Sequence, residues 1–480
     1  MKQRSRTESP PDPAVQRDGD AQGDFETIDT RGNLQRIPTA VDDGADGFVG
    51  ATSPITLRRT ASSRREPSAI LESAESCVAT PPEHLPSELK LSHHATRLYT
   101  ISYLIFFSIL GTLARIGLQV LTEYPGAPIT TGVTWANVGG CLLIGFFAED
   151  RNIFHEEWGN GRGRREKNNG NGDQLRQGAG YDGNGNGNGD EDEDEDVDGW
   201  LARHKAVKKT IPLYIGLTTG FCGSFTSFSS FILDAFRALS NTLPNPNTGS
   251  IAPRNGGYSF MAVLAVILYT LLLCLSSIVV GAHLADGLSS FTPTVPFKFI
   301  RKVLDRLVVV LAFGCWIGAI FLAIWPPDRH NPLREQHWRG SAVFPIIFAP
   351  LGCLFRFYAS IYFNPLIPSF PLGTFLVNMI GTLILGMCFD LQHAGNLFAR
   401  IDKDGLPNFH HLLGCQILKG VIDGFCGCTT TVSTWIAELH SLDLKHAYRY
   451  GLLSIGLGLA FLVVVVGTMH WTIGLAQPTC

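Results

Sequence analysis

Two stretches of the chain carry residue types that can replace the water around a small ion. The first runs Gly220-Phe221-Cys222-Gly223-Ser224-Phe225-Thr226-Ser227-Phe228-Ser229-Ser230-Phe231 and the second Gly424-Phe425-Cys426-Gly427-Cys428-Thr429-Thr430-Thr431-Val432-Ser433-Thr434-Trp435. Both open on Gly-x-Cys-Gly and continue into hydroxyls punctuated by large side chains three residues apart. Amide N–H, hydroxyl O–H and the positive edges of aromatic rings are the donors a protein can offer a dehydrated anion. Phe228 and Phe231 share a helical face with Ser229 and Ser230 beside them. In the second copy Ser433 and Thr434 supply the hydroxyls, while Val432 and Trp435 stand in place of the phenylalanines.

Two amides recur at one site. Gly132-x-x-x-x-Asn137-x-x-Gly140 answers to Gly373-x-x-x-x-Asn378-x-x-Gly381, and Gly111-Thr-Leu-Ala-Arg115 to Gly352-Cys-Leu-Phe-Arg356. Small residues and asparagines also serve as helix-packing faces and interhelical glue in membranes. Three ordered matches favour a duplicated ion pathway over that reading. A break at Gly223 or Gly427 would free carbonyls as well as N–H groups, and carbonyls can hold a cation that offsets a buried anion. Arg115 and Arg356 either draw anions to a vestibule or anchor their helices at an interface. Asp234 and Glu438 are candidate partners for them, and Lys419 and Asp423, at i, i+4, are spaced to neutralise each other.

The elements that must position these groups are membrane spans. Of 480 residues, the polar and charged ones concentrate before Arg97 and between Arg151 and Lys209, and the remainder forms apolar blocks. Nine blocks meet the length of a span, near 98–121, 133–148, 211–235, 259–285, 303–325, 342–363, 374–391, 412–439 and 448–473. The first and last four align by motif, leaving 303–325 as a joining helix. Four spans plus one invert the second half, so an all-α inverted repeat is expected. The expected division is a disordered tail over 1–92, a first four-helix repeat over 93–290 with a disordered insert over 151–209, a linker over 291–335, and a second repeat over 336–480. The insert contains Gly183-Asn184-Gly185-Asn186-Gly187-Asn188-Gly189, a flexible-linker composition.

Basic residues at Arg151, Arg162, Arg164, Arg165, Lys205, Lys208 and Lys209, and again at Lys298, Arg301 and Lys302, mark the second and fourth connections as cytoplasmic. The amino terminus is therefore expected inside and the carboxyl terminus outside, with no cleavable signal sequence. The net charge of −4 comes with an acidic run at 190–196 and implies no nucleic-acid partner. Of 11 cysteines, Cys141, Cys222, Cys274, Cys315, Cys353, Cys388 and Cys426 fall in apolar blocks without zinc-ligand or disulfide-framework spacing, as small packing residues do. No phosphate loop or nucleophile with an adjacent base is present, which argues against an enzyme. In the tail, Arg58-Arg59-Thr60-Ala61-Ser62 offers a basic-context phosphorylation sequence, a pattern common in such tails.

These three motifs, in order and twice over, resemble the CrcB/Fluc family of fluoride channels, in particular its fused two-domain fungal export (FEX) branch. The resemblance covers the chain from about Leu98 onward, outside the insert and the joining helix. It implies passive, selective fluoride export across the plasma membrane, giving fluoride resistance. It also implies a structural sodium ion held by the backbone carbonyls of Gly223, Thr226, Gly427 and Thr430. Asn137 and Asn378 would be the pore amides, Phe228 and Phe231 part of a phenylalanine box, and Tyr450 and Ser454 a polar track in the last helix. In the first half Tyr269, Ser276 and Ser277 are candidates for that track without a secure register. The departures at Val432 and Trp435 imply one conducting and one degenerate pathway. A fused pair needs no second chain, so a functional monomer is expected. A proton-coupled anion exchanger using Asp234 and Glu438, and a non-transporting scaffold recruiting partners through the acidic insert, are the competing classes.

Overall fold

The computed structural model describes residues 93–127, 129, 131–157, 207–243, 255–327, 338–394 and 409–476. The expected tail, with its phosphorylation sequence, and nearly all of the expected insert lie outside these residues. Among the described residues the fold is helical throughout, without a strand.

In chain order the helices are α1 (His93–Thr122), α2 (Val133–Glu149), α3 (212–225), α4 (Phe228–Leu239), α5 (Gly256–Gly287), α6 (Phe297–Ile324), α7 (Arg339–Leu366), α8 (Leu372–His393), α9 (409–429), α10 (Ser433–Ser441) and α11 (Leu444–Thr472). Seven stretches are long and apolar enough to cross a membrane: α1, α5, α6, α7, α8, α11, and Leu412–Ser441, which joins α9 to α10. The expected second span is the shorter apolar helix α2, and the expected third is divided into α3 and α4. Outward faces carry exposed Leu272, Val310 and Leu452 at 60–70%. A water-soluble surface rarely gathers so much apolar area, and lipid is the solvent that suits it.

The joining helix α6 lies along α1 and α7. Asp305 is buried in its third turn, where Tyr103 Oη donates to Oδ1 at 2.9 Å and Arg301 approaches Oδ2 at 3.3 Å. Farther along, Trp316 Nε1 donates to the Ile347 carbonyl of α7 at 2.9 Å. Helix ends are closed by cations. Lys208 Nζ donates to the carbonyls of Phe147, Ala148 and Asp150 at the end of α2, and Arg339 donates to Ala323 at the end of α6. These contacts satisfy terminal carbonyls that lipid would leave bare. The seven apolar-block cysteines are free thiols, six of them buried and Cys315 exposed.

The largest core cluster sits between the halves of the chain. It brings Phe228, Phe231 and Ile232 of α4 together with Trp435 and Ile436 of α10, Tyr450 and Ile455 of α11, and Cys141 and Cys274 of α2 and α5.

Candidate functional site

Each repeated motif contains a break, and the breaks fall at threonines. Gly223 has helical dihedrals (φ −68°, ψ −28°), as does Gly427 (φ −62°, ψ −32°). Thr226 (φ −99°, ψ 150°) and Thr430 (φ −91°, ψ 150°) are extended instead. The expected break at the glycines is thus displaced by three residues. A β-branched side chain is at ease in extended backbone, and each threonine hydroxyl donates to the carbonyl four residues back, Cys222 at 3.1 Å and Cys426 at 2.9 Å.

The glycines serve a different purpose. A side chain at Gly223 would collide with the Arg356 guanidinium, and one at Gly427 with that of Arg115. Each arginine therefore reaches across to the other half. Arg356 donates to Cys428 O and Thr219 O, both at 2.8 Å, and Arg115 donates to Ser224 O at 2.5 Å and to Asp423 O. They are enclosed, at 2% and 1% exposure. Their partners are backbone carbonyls, Ser224 O and Cys428 O just before the breaks and Thr219 O and Asp423 O in the helical turns that precede the breaks, whereas the sequence suggested Asp234 and Glu438. Asp234 instead lies 3.8 Å from Arg237. Lys419 approaches Ser341 Oγ at 3.4 Å. An enclosed guanidinium needs several acceptors, and these backbone carbonyls supply them.

The two breaks hold one another. Thr226 Oγ1 accepts from Val432 N and Ser433 N at 3.2 and 3.1 Å, at the start of α10. Thr430 Oγ1 accepts from Ser229 N at 3.1 Å, at the start of α4. Each half thus caps the helix that restarts in the other. Hydroxyls extend the connection: Ser229 Oγ lies 3.0 Å from Thr430 Oγ1, and Ser433 Oγ donates to Cys222 O at 3.2 Å. Ser230 and Thr434 sit one residue farther on, half-buried, with their hydroxyls 2.9 Å from Ser227 Oγ and 3.5 Å from Thr431 Oγ1.

Asn137 and Asn378 occupy equivalent places. Ser227 N donates to Asn137 Oδ1 and Thr431 N to Asn378 Oδ1, both at 2.9 Å. Those amides would otherwise bond the carbonyls of Gly223 and Gly427 in a continuous helix. Ser230 N and Thr434 N, the amides four residues beyond Thr226 and Thr430, likewise turn to Ser227 Oγ and Thr431 Oγ1 at 3.3 and 3.4 Å. The four carbonyls named for sodium have therefore lost their helical donors. Neutral carbonyl oxygens are suitable ligands for a hard cation, so the residues present fit the group.

Aromatic groups gather beside the breaks. Phe228 packs edge to face with Phe231 (5.9 Å, 77°) and with Trp435 (5.2 Å, 72°). Tyr450 Oη donates to Glu438 Oε2 at 2.8 Å, and Thr374 Oγ1 and Asn364 Nδ2 donate to Oε1 at 2.6 and 3.4 Å. Ser454 Oγ donates to the Tyr450 carbonyl at 2.7 Å within its own helix. In the first half Tyr269 Oη meets Thr131 Oγ1 at 2.5 Å, which gives that tyrosine a polar partner the sequence left without a register. The Glu438 cluster was not foreseen. Thr374 lies within the Asn378 motif, but nothing in its spacing points to Glu438.

The fold and site define a multi-pass helical membrane protein in which two similar segments meet at paired helix breaks. The chain belongs to the CrcB-like family: the family model described as CrcB-like protein, Camphor Resistance (CrcB), matches residues 102–282 and 343–468. It is 52% identical over 401 residues to fluoride export protein 1 of Neurospora crassa, covering 82% of this chain and 70% of that one. Fluoride export protein 2 of Saccharomyces cerevisiae is 27% identical over 82% of this chain and 98% of its own. The fluoride-specific ion channel FluC of Acinetobacter baylyi is 35% identical over 127 residues, 26% of this chain and 86% of its own length. No solved structure matches the chain.

Proposed function

We propose that the chain is a passive, fluoride-selective channel that exports fluoride across the plasma membrane and confers resistance to it. The observation that carries this reading is the pair of reciprocally capped breaks, which concentrates amide, hydroxyl and ring-edge donors between the halves. Curated relatives named for fluoride export or fluoride conduction support the choice of ion. Fluoride is small and strongly hydrated, so it crosses only where donors replace its water at close range. Asn137 and Asn378 hold the broken backbone open, Ser229, Ser230, Ser433 and Thr434 provide hydroxyls beside the breaks, and Phe228 and Phe231 offer ring edges. Tyr450 and Ser454 continue the polar lining along α11. Arg115 and Arg356 bias the centre of the protein toward anions while fixing the breaks. One conducting and one degenerate pathway follow from Val432 and Trp435.

In this reading nine segments cross the bilayer as two inverted repeats, 93–290 and 336–480, joined through 291–335, with the amino terminus cytoplasmic and the carboxyl terminus extracellular. A monomer suffices, because each half already caps the other. The carbonyls of Gly223, Thr226, Gly427 and Thr430 would hold a sodium ion. When bound, that ion supplies fixed positive charge between the breaks.

Fluoride release from liposomes containing purified protein tests the proposal. Rapid release that dissipates the fluoride gradient, needs no proton gradient and leaves chloride trapped is expected. Release that requires a proton gradient would replace the channel with an exchanger.

A further inference from the structure

Two enclosed N–H donors beside the first break have no hydrogen-bond partner, Asn137 Nδ2 and Trp435 Nε1. Both residues are at 0% exposure. The orientation of Asn137 is fixed, because Ser227 N can only donate and so selects Oδ1, leaving Nδ2 on the other side of the carboxamide. Asn378 differs. Its Oδ1 accepts from Thr431 N at 2.9 Å and its Nδ2 donates to Thr431 O at 3.3 Å, so both of its ends are engaged.

Trp435 stands in the second motif where Phe231 stands in the first. Its ring meets Phe228 edge to face at 5.2 Å, and Phe228 directly follows Ser227, the residue bound to Asn137. Helix α2, which carries Asn137, packs against α10, which carries Trp435. The two unused donors thus lie around one break, on facing helices. An indole N–H can only donate, and leaving it unmatched in a low-dielectric interior is costly.

We propose that Trp435 Nε1–H and Asn137 Nδ2–H together coordinate a small anion, fluoride in the proposed function on which this inference rests. The indole would supply a hydrogen bond where a phenylalanine offers only its ring edge. Trp435 would then be a binding residue at the position where the repeat looks degenerate.

The test is nuclear magnetic resonance of the full-length protein labelled with 15N at its tryptophan indoles, titrated with sodium fluoride against sodium gluconate at equal ionic strength. Trp435→Phe identifies the Trp435 peak by its loss. That peak is expected to shift with fluoride alone, and to stop shifting in Asn137→Leu. The indole of Trp316, already bonded to Ile347, should hold its position in both proteins and report that the variant is folded. A Trp435 peak indifferent to fluoride, or one that responds equally to gluconate, would overturn the proposal and assign the N–H to the face of Phe228. If liposomes carrying the wild-type chain release fluoride while the peak stays fixed, only this inference fails. If the peak shifts and no release occurs, the binding site stands and the transport reading falls.

Discussion

Arg115 and Arg356 are among the largest enclosed side chains in the protein, and each spends its charge on carbonyls of a broken helix. Lysine keeps the charge but not the planar fork, so Arg356→Lys cannot reach Cys428 O and Thr219 O together. A loss of about 1.5–3 kcal/mol is expected, the size of a hydrogen bond to a charged group. It would appear as a lower thermal midpoint in detergent. An unchanged midpoint would show that the paired contacts do not hold the breaks. Gly427→Ala should be similarly harmful, because its methyl group collides with Arg115. At the ring, Phe228→Leu keeps apolar bulk and removes the aromatic edges. Fluoride efflux is expected to fall at least about tenfold, equivalent to about 1.4 kcal/mol, with the protein still folded. Efflux at the wild-type rate would remove Phe228 from the pathway.

At the scale of elements, the restarted helices α4 and α10 depend on threonines from the opposite half. Thr430→Val preserves shape but removes the acceptor for Ser229 N, at an expected cost of about 1 kcal/mol, that of a lost helix cap. Combining it with Thr226→Val should give a non-additive change in thermal stability, since the Ser229–Thr430 hydroxyl pair and the Thr226–Thr431–Ser433 hydroxyls meet through the adjacent residues Thr430 and Thr431. Strict additivity would mean that the two caps act separately. The motifs made the breaks, the asparagines and the duplicated arginines legible, because repetition separates a site from ordinary membrane-helix composition. They misplaced the break by three residues: glycine suggested backbone freedom, while the structure uses it for guanidinium clearance. The partners of Arg115 and Arg356 were hidden for a related reason. Backbone carbonyls leave no mark in a sequence, whereas Asp234 and Glu438 do. The Glu438–Thr374–Tyr450 cluster depends on the packing of three helices, and no local pattern encodes that.

For the whole molecule, the contacts between halves within one chain support the proposal of a monomeric channel. Deleting residues 162–198 should leave fluoride efflux unchanged, since no group proposed for transport falls there. Loss of transport with retained folding would bring the scaffold reading forward. Replacing sodium throughout by a bulky organic cation should lower efflux or folded yield if the four freed carbonyls hold sodium. The most direct test of the central claim remains fluoride efflux from liposomes containing the purified full-length chain, read with a fluoride electrode. Rapid fluoride release, independent of a proton gradient and with chloride retained, is the predicted result. Folded protein that releases no fluoride, or releases it only when protons are driven the other way, would contradict the account.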